Sequence, residues 1–252
     1  MIVCEIGNNH FGDEEYSYKY VGDLMLTKCD AITYQIREKT FYKKNDNFKK
    51  LPMNHYSDIV DITHKNNKKF GIALADYSLI DECEKLGVDF YKVLSWDLNN
   101  YEFIDSLLET IKPIYVSTGM SSIDEIGEFC ERYSRYYFTD KITLIHTQLS
   151  FDLQDVNLKA IHYLDNFSPF NVAFGSHCKN KNVLYTSIGF QPSDYFIYVK
   201  GNSKHKHPDD GHAIDISDLP TVINNMLEME LTIGEEIKIK MKNQSDKENN
   251  IK

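Results

Sequence analysis

No stretch of this sequence approaches the roughly 18 uninterrupted apolar residues that a membrane-crossing helix needs. The opening MIVCEIGNNH has no basic leader followed by a long apolar segment. A membrane partner is therefore not expected, and the chain reads as soluble and unexported. Cysteine is sparse and scattered: Cys4, Cys29, Cys83, Cys130 and Cys178 form no C-x-x-C pair and are odd in number. That pattern excludes a disulfide framework and a zinc knuckle, and it fits a reducing cytoplasm. Positive charge is short, with 28 Lys and Arg against 38 Asp and Glu and a net charge of −10. Such a surface repels a phosphate backbone, so nucleic acid is not an expected partner. For the same reason the 17 tyrosines and 14 phenylalanines read as core and packing residues rather than a base-stacking platform. A G-x-G-x-x-G after the first apolar run is also missing, which removes the usual mark of a dinucleotide-binding open sheet.

What is present is a repeat of short apolar, β-rich runs, each followed by a charged segment with helical spacing. The runs cover residues 2–6, 31–36, 70–74, 90–95, 113–118, 142–147, 171–176 and 195–200. Most are nearly continuous in apolar character, as strands buried on both faces are. Amphipathic segments follow at 14–28, 54–67, 79–86, 101–111, 123–136, 156–167, 182–190 and 219–229. Eight βα units in a chain of 252 residues predict a TIM-type (β/α)₈ barrel, a fold of about 250 residues. Ser122 and Asp218 stand where side chains can cap the fifth and the last of these segments. With 42% hydrophobic residues the chain can build one large core. The barrel is expected over residues 1–234. The remaining 235–252, EEIKIKMKNQSDKENNIK, lose their apolar content and read as a polar tail that cannot fold alone.

In such barrels the working side chains sit at the carboxyl ends of the strands. Here those ends are polar. Glu5 and GNNH close the first run, Gln35 and Arg37 the second, Lys92, Ser95 and Asp97 the fourth, and Ser117-Thr118-Gly119-Met120 the fifth. His146 ends the sixth, His177 the seventh, and Lys200 leads into His205, His207 and PDDGH, with His212 last. Lys92 within an apolar strand is the sharpest of these, because lysine is seldom buried without a partner or a task.

In chain order, CEIGNNHFGD, AITYQ, FYKVLSWDLNN, KPIYVSTGM, LIHT and PDDGHAIDISDL resemble the landmarks of the sialic acid (nonulosonic acid) synthase family. Members read AEIG-x-NH-x-G, VKFQ, YKI-x-SGE-x-N, KP-x-x-x-STGM, LHC, SDH, EKH and PGPDH, so the likeness spans the barrel. KP-x-x-x-STGM and EIG-x-NH-x-G are the specific parts. The resemblance implies an enzyme of the phosphoenolpyruvate-using transferases, which condenses phosphoenolpyruvate with a sugar aldehyde such as an N-acylated hexosamine. It implies a divalent cation, manganese or magnesium, that polarises the aldehyde. On this likeness Lys92, Ser95 and Ser117 hold the donor, with Gln35, His146 and His212 also lining the substrate site. Glu5 and Asp97 face the acceptor as catalytic carboxylates, and His177 is both catalytic and the first of two metal-binding histidines. Members form dimers, so a homodimer through a barrel-to-barrel contact is compatible with it.

Departures from the pattern are specific. Thr33 stands where the family has the lysine of VKFQ, SDH becomes Gly175-Ser176-His177, and EKH becomes Val199-Lys200-Gly201, which removes the second metal histidine. The asparagine and tyrosine after LHC become Leu149 and Phe151. Most members also carry a C-terminal antifreeze-like domain that lends an arginine to the neighbouring subunit, and the likeness ends before it. His205, His207 or His212 are the candidates to replace the lost ligand. Two readings follow: a diverged synthase with a rebuilt site, or a non-catalytic barrel that binds a phosphorylated or sugar-like ligand. A third, a lyase using Lys92 as a Schiff-base amine, predicts an adduct trapped by borohydride.

Overall fold

Eight parallel strands close on themselves, the first pairing with both the second and the eighth. They are β1 (Ile2–Gly7), β2 (Ala31–Ile36), β3 (Lys69–Leu74), β4 (Phe90–Val93), β5 (Ile114–Ser117), β6 (Ile142–His146), β7 (Asn171–Ser176) and β8 (Tyr195–Lys200). A two-residue β9 (Ile214–Asp215) extends the carboxyl end of β8 in parallel. The helices are α1 (Glu14–Met25), α2 (Lys39–Lys44), α3 (Met53–Lys65), α4 (Ile80–Leu86), α5 (Tyr101–Glu109), α6 (Ile123–Arg132), α7 (Lys159–Phe167), α8 (Asn182–Ser187) and α9 (Leu219–Ile233). This is the expected (β/α)₈ barrel. The computed structural model describes residues 1–45 and 48–238 together with Gln244, Glu248 and Ile251. Of the tail expected over 235–252, residues 239–243, 245–247, 249, 250 and 252 lie outside the described residues.

Several boundaries differ from expectation. Strands β4, β5 and β6 end one or two residues early, so Ser95, Thr118 and Thr147 belong to the loops that cover the mouth. Helix α7 starts at Lys159, because Leu153–Asp155 forms a 3₁₀ turn and Asn157 adopts φ +46°. Ser122 caps α6 in a full capping box with Glu125, whereas Asp218 makes no capping bond and accepts from Lys181 instead. The competing ammonium, on a neighbouring loop, draws the carboxylate away from the helix amides. The sequence pattern also missed α2 and β9, both too short to carry a period.

Because side chains alternate along a strand, every second residue points to the barrel axis. Val3, Ala31, Phe90, Tyr115, Ile145, Ala173 and Phe196 form a closed apolar layer there. Its centre is aromatic: Tyr115 meets Phe90 and Phe196 edge-to-face at centroid distances of 5.2 and 5.0 Å. Phe90 fits because Gly71 opposite has no side chain; a Cβ there would lie 2.3 Å from the ring. Two residues further along the strands the same alternation points Glu5, Lys92, Ser117, Gly175 and Tyr198 inward, above an apolar floor. The larger core lies between the barrel and its helices.

Candidate functional site

A cavity of about 210 Å³ opens at the carboxyl mouth, directly over that floor. Glu5, Gln35, Lys92, Ser95, Ser117 and His177 all line it, and so do Arg37, Trp96, Thr147, Leu149, Tyr198 and Asp209. Strands β1, β2, β4, β5, β7 and β8 thus bring together residues spread over more than 200 positions.

At its base the Lys92 ammonium donates to Glu5, and both groups are buried. Lys92 Nζ also lies 5.2 Å from the Phe196 ring centroid and 5.4 Å from that of Tyr198, so aromatic faces shield the pair. The other carboxylate oxygen of Glu5, Oε2, is buried with no hydrogen-bond partner. An orphaned charged oxygen at the foot of a cavity is costly unless a ligand satisfies it.

The GNN segment after Glu5 shapes the opposite wall. Gly7 takes φ +56°, and a Cβ there would lie 3.1 Å from Asp209 Oδ2. Asn9 donates to the Val199 carbonyl at 2.8 Å and accepts from the Asp209 amide at 3.2 Å, tying the loop after β8 to β1. Asn8 donates to Gln35 at 2.9 Å and fixes the amide that faces the cavity. Held there, Asp209 is pushed up to about 7, chiefly by burial and then by the negative charge of Glu5. It is a proton-exchanging group near neutrality that the sequence patterns did not single out.

His177 and His212 lie side by side with ring centroids 4.5 Å apart, and each contacts the Tyr198 ring, at 4.8 and 4.5 Å. Burial, first, and neighbouring charge lower His177 to about 3 and His212 to about 4, so both are neutral imidazoles at physiological pH. Both ring nitrogens of His212 are buried without a hydrogen-bond partner. Neutral imidazoles of this kind suit a first-row divalent metal. Among the described residues, no three His, Cys, Asp or Glu side chains stand together as a complete ligand set. The donors that would hold a cation here are this pair. Of the other candidates for the lost ligand, His207 bonds Tyr16 at 2.8 Å and His205 packs against Phe11, both away from the pair.

Three candidate residues, His146, Asp97 and His212, stand outside the cavity. His146 points out of the barrel, because Ile145 takes the inward position; its Nε2 lies 3.0 Å from the Val156 carbonyl. Asp97 is carried off by the turn after Leu94 and accepts from Asn100 at 3.2 Å, and burial pushes its carboxyl up. His212 borders a second cavity of about 300 Å³, next to the first and sharing Tyr198 with it. Arg37 and Asp209 are charged groups on the cavity lining that the sequence reading left unassigned. For Arg37 the signal was there, since 33, 35 and 37 share one face of β2 and its extension.

A family model described as the NeuB family matches residues 18–238. An uncharacterized protein of Methanocaldococcus jannaschii is 26% identical over 98% of this chain and 75% of its own length. The N,N'-diacetyllegionaminic acid synthase of Campylobacter jejuni is 20% identical over 94% of this chain and 78% of its own. Among solved structures, the N-acetylneuraminic acid (sialic acid) synthetase of Leptospira borgpetersenii superposes with a TM-score of 0.88 at 16% identity, over 99% of this chain and 90% of that one. At that identity the superposition speaks for the fold. No helix among the described residues is long and apolar enough to cross a membrane.

Proposed function

The chain belongs to the NeuB family, and from that premise we propose that it condenses phosphoenolpyruvate with the aldehyde of an amino sugar of the N-acylated hexosamine class in the cytoplasm. The methylene carbon of phosphoenolpyruvate attacks the aldehyde carbon and forms the C–C bond, while the aldehyde oxygen takes a proton. Water adds to the cationic carbon left behind, and the resulting tetrahedral centre expels phosphate to give the 2-keto acid.

The observation that carries the proposal is the convergence of the buried Glu5–Lys92 pair with Ser95, Ser117, His177 and Asp209 on one cavity at the carboxyl mouth. Lys92, Ser95 and Ser117 supply a cation and two hydroxyls for the anionic donor. Glu5 Oε2, without a protein partner, is the acceptor for a sugar hydroxyl or amide. Asp209, poised near 7, can give a proton to the aldehyde oxygen or take one from the attacking water. His177 and His212 would hold the divalent cation, whose chemistry is to polarise the aldehyde carbonyl. Asp97 and His146, which do not line the cavity, carry no part in it.

Phosphate release from phosphoenolpyruvate, measured against a panel of N-acylated hexosamines with and without manganese, tests this. Release that depends on one sugar supports it. Silence across the panel with phosphoenolpyruvate binding intact favours a ligand-binding barrel.

A further inference from the structure

Arg37 apart, the charge inside the cavity does not balance for an anionic ligand. Lys92 is committed to Glu5, and Asp209 adds a second carboxyl to the same space. Phosphoenolpyruvate carries a carboxylate and a phosphate, so a second cation is needed. Position 33, which faces Glu5 across the β1–β2 register, is a buried threonine and cannot supply it.

Four residues further along, about 13 Å of extended chain toward the mouth, stands Arg37. Its guanidinium is held as a plate, with its carbon 4.1 Å from the Phe41 ring centroid and 4.9 Å from that of Trp96. Nε donates to Glu38 at 2.9 Å, and among the described residues this is the one ion pair Arg37 makes. The two terminal nitrogens are thereby left for a ligand, and both Arg37 and Trp96 line the cavity. A stacked guanidinium whose terminal nitrogens make no ion pair, on the lining of a cavity, can bind carboxylate or phosphate through paired hydrogen bonds.

We propose that Arg37, held against the Phe41 and Trp96 rings, is the anion-binding residue at the mouth of this cavity and holds the carboxylate or phosphate of the donor. The cation missing at position 33 has been relocated to position 37. This rests on the proposal that the cavity takes phosphoenolpyruvate.

Trp96 is the only tryptophan in the chain, so its fluorescence reports directly on the site. Wild type, Arg37→Gln and Arg37→Lys are titrated with phosphoenolpyruvate, inorganic phosphate and pyruvate, by fluorescence and by calorimetry. Losing charge-assisted bonds should weaken phosphoenolpyruvate binding at least about tenfold in Arg37→Gln, with a smaller loss in Arg37→Lys, which keeps the charge but not the fork. Whichever of phosphate and pyruvate loses affinity in parallel identifies the group held. On the unmutated protein, phosphoenolpyruvate should shield Arg37 from phenylglyoxal, as read by peptide mapping. Wild-type binding with Arg37→Gln unchanged and no protection overturns the role of Arg37 alone. Failure of the wild type to bind phosphoenolpyruvate overturns the proposed function and this role with it.

Discussion

Lys92 on β4 and Glu5 on β1, 87 residues apart in sequence, form an ion pair inside the barrel with side chains only 6% and 3% exposed. Removing one partner strands the other charge in a low-dielectric interior, whereas removing both restores an apolar interior. Lys92→Met should therefore cost roughly 3–5 kcal/mol in urea unfolding, and Lys92→Met with Glu5→Leu should recover most of that loss. A neutral single variant would show that the pair is not closed to water.

The apolar layer beneath depends on a missing side chain. Adding a methyl at Gly71 drives a Cβ to within 2.3 Å of the Phe90 ring, and that ring is fixed edge-to-face against Tyr115. Gly71→Ala should destabilise by about 1–3 kcal/mol, the usual cost of overpacking. Phe90→Leu in the same chain should return part of it. Additive losses in the double variant, measured by thermal unfolding, would count against the clash.

The barrel was legible because eight apolar runs and eight amphipathic segments agree in number and order, and three of the strands match their expected bounds. Glu5, Lys92 and Ser117 were legible as a group because strand ends carry the chemistry and alternation points them to one axis. That same alternation also separates His146 from the cavity, since Ile145 before it points inward. Asp209 could not be read this way. It lies in the loop between β8 and β9, where no period exists, and it reaches the site through Asn9 and the space left by Gly7. Asp97 follows a strand end closely, but it sits in the turn after Leu94 and does not line the cavity.

If a metal binds, the neighbouring imidazoles of His177 and His212, with ring centroids 4.5 Å apart, would hold it, with His212 supplying the second histidine from a different loop. Manganese titration followed by electron paramagnetic resonance should show one site per chain. His177→Ala and His212→Ala should each weaken it at least about tenfold, as loss of a metal-orienting contact typically does. His205→Ala should leave it unchanged, because His205 stacks on Phe11 away from the pair. No stoichiometric binding by the wild type, or no effect of His177→Ala, would remove the metal from the site.

Asp209 makes stability depend on pH in a way whose sign is fixed. Its folded value is about 7, above the ordinary carboxylate value of 3.8, so between those limits the folded chain keeps a proton that the unfolded chain has lost. The stability it contributes is complete below about 4 and is lost as pH rises toward 7. His177 and His212, lowered to about 3 and about 4 from the ordinary 6.5, act with the opposite sign in the same window, because the unfolded chain still protonates them there; comparison with Asp209→Asn cancels their contribution. Asp209→Asn has no proton to lose and keeps a polar group of similar size. Its stability relative to wild type should therefore rise between pH 5 and pH 8, by an amount on the order of a few kcal/mol. Parallel melting curves for the two proteins across that range check it. A constant offset would mean that water reaches Asp209 and that its carboxyl ionises normally, leaving the cavity without its neutral-range acid.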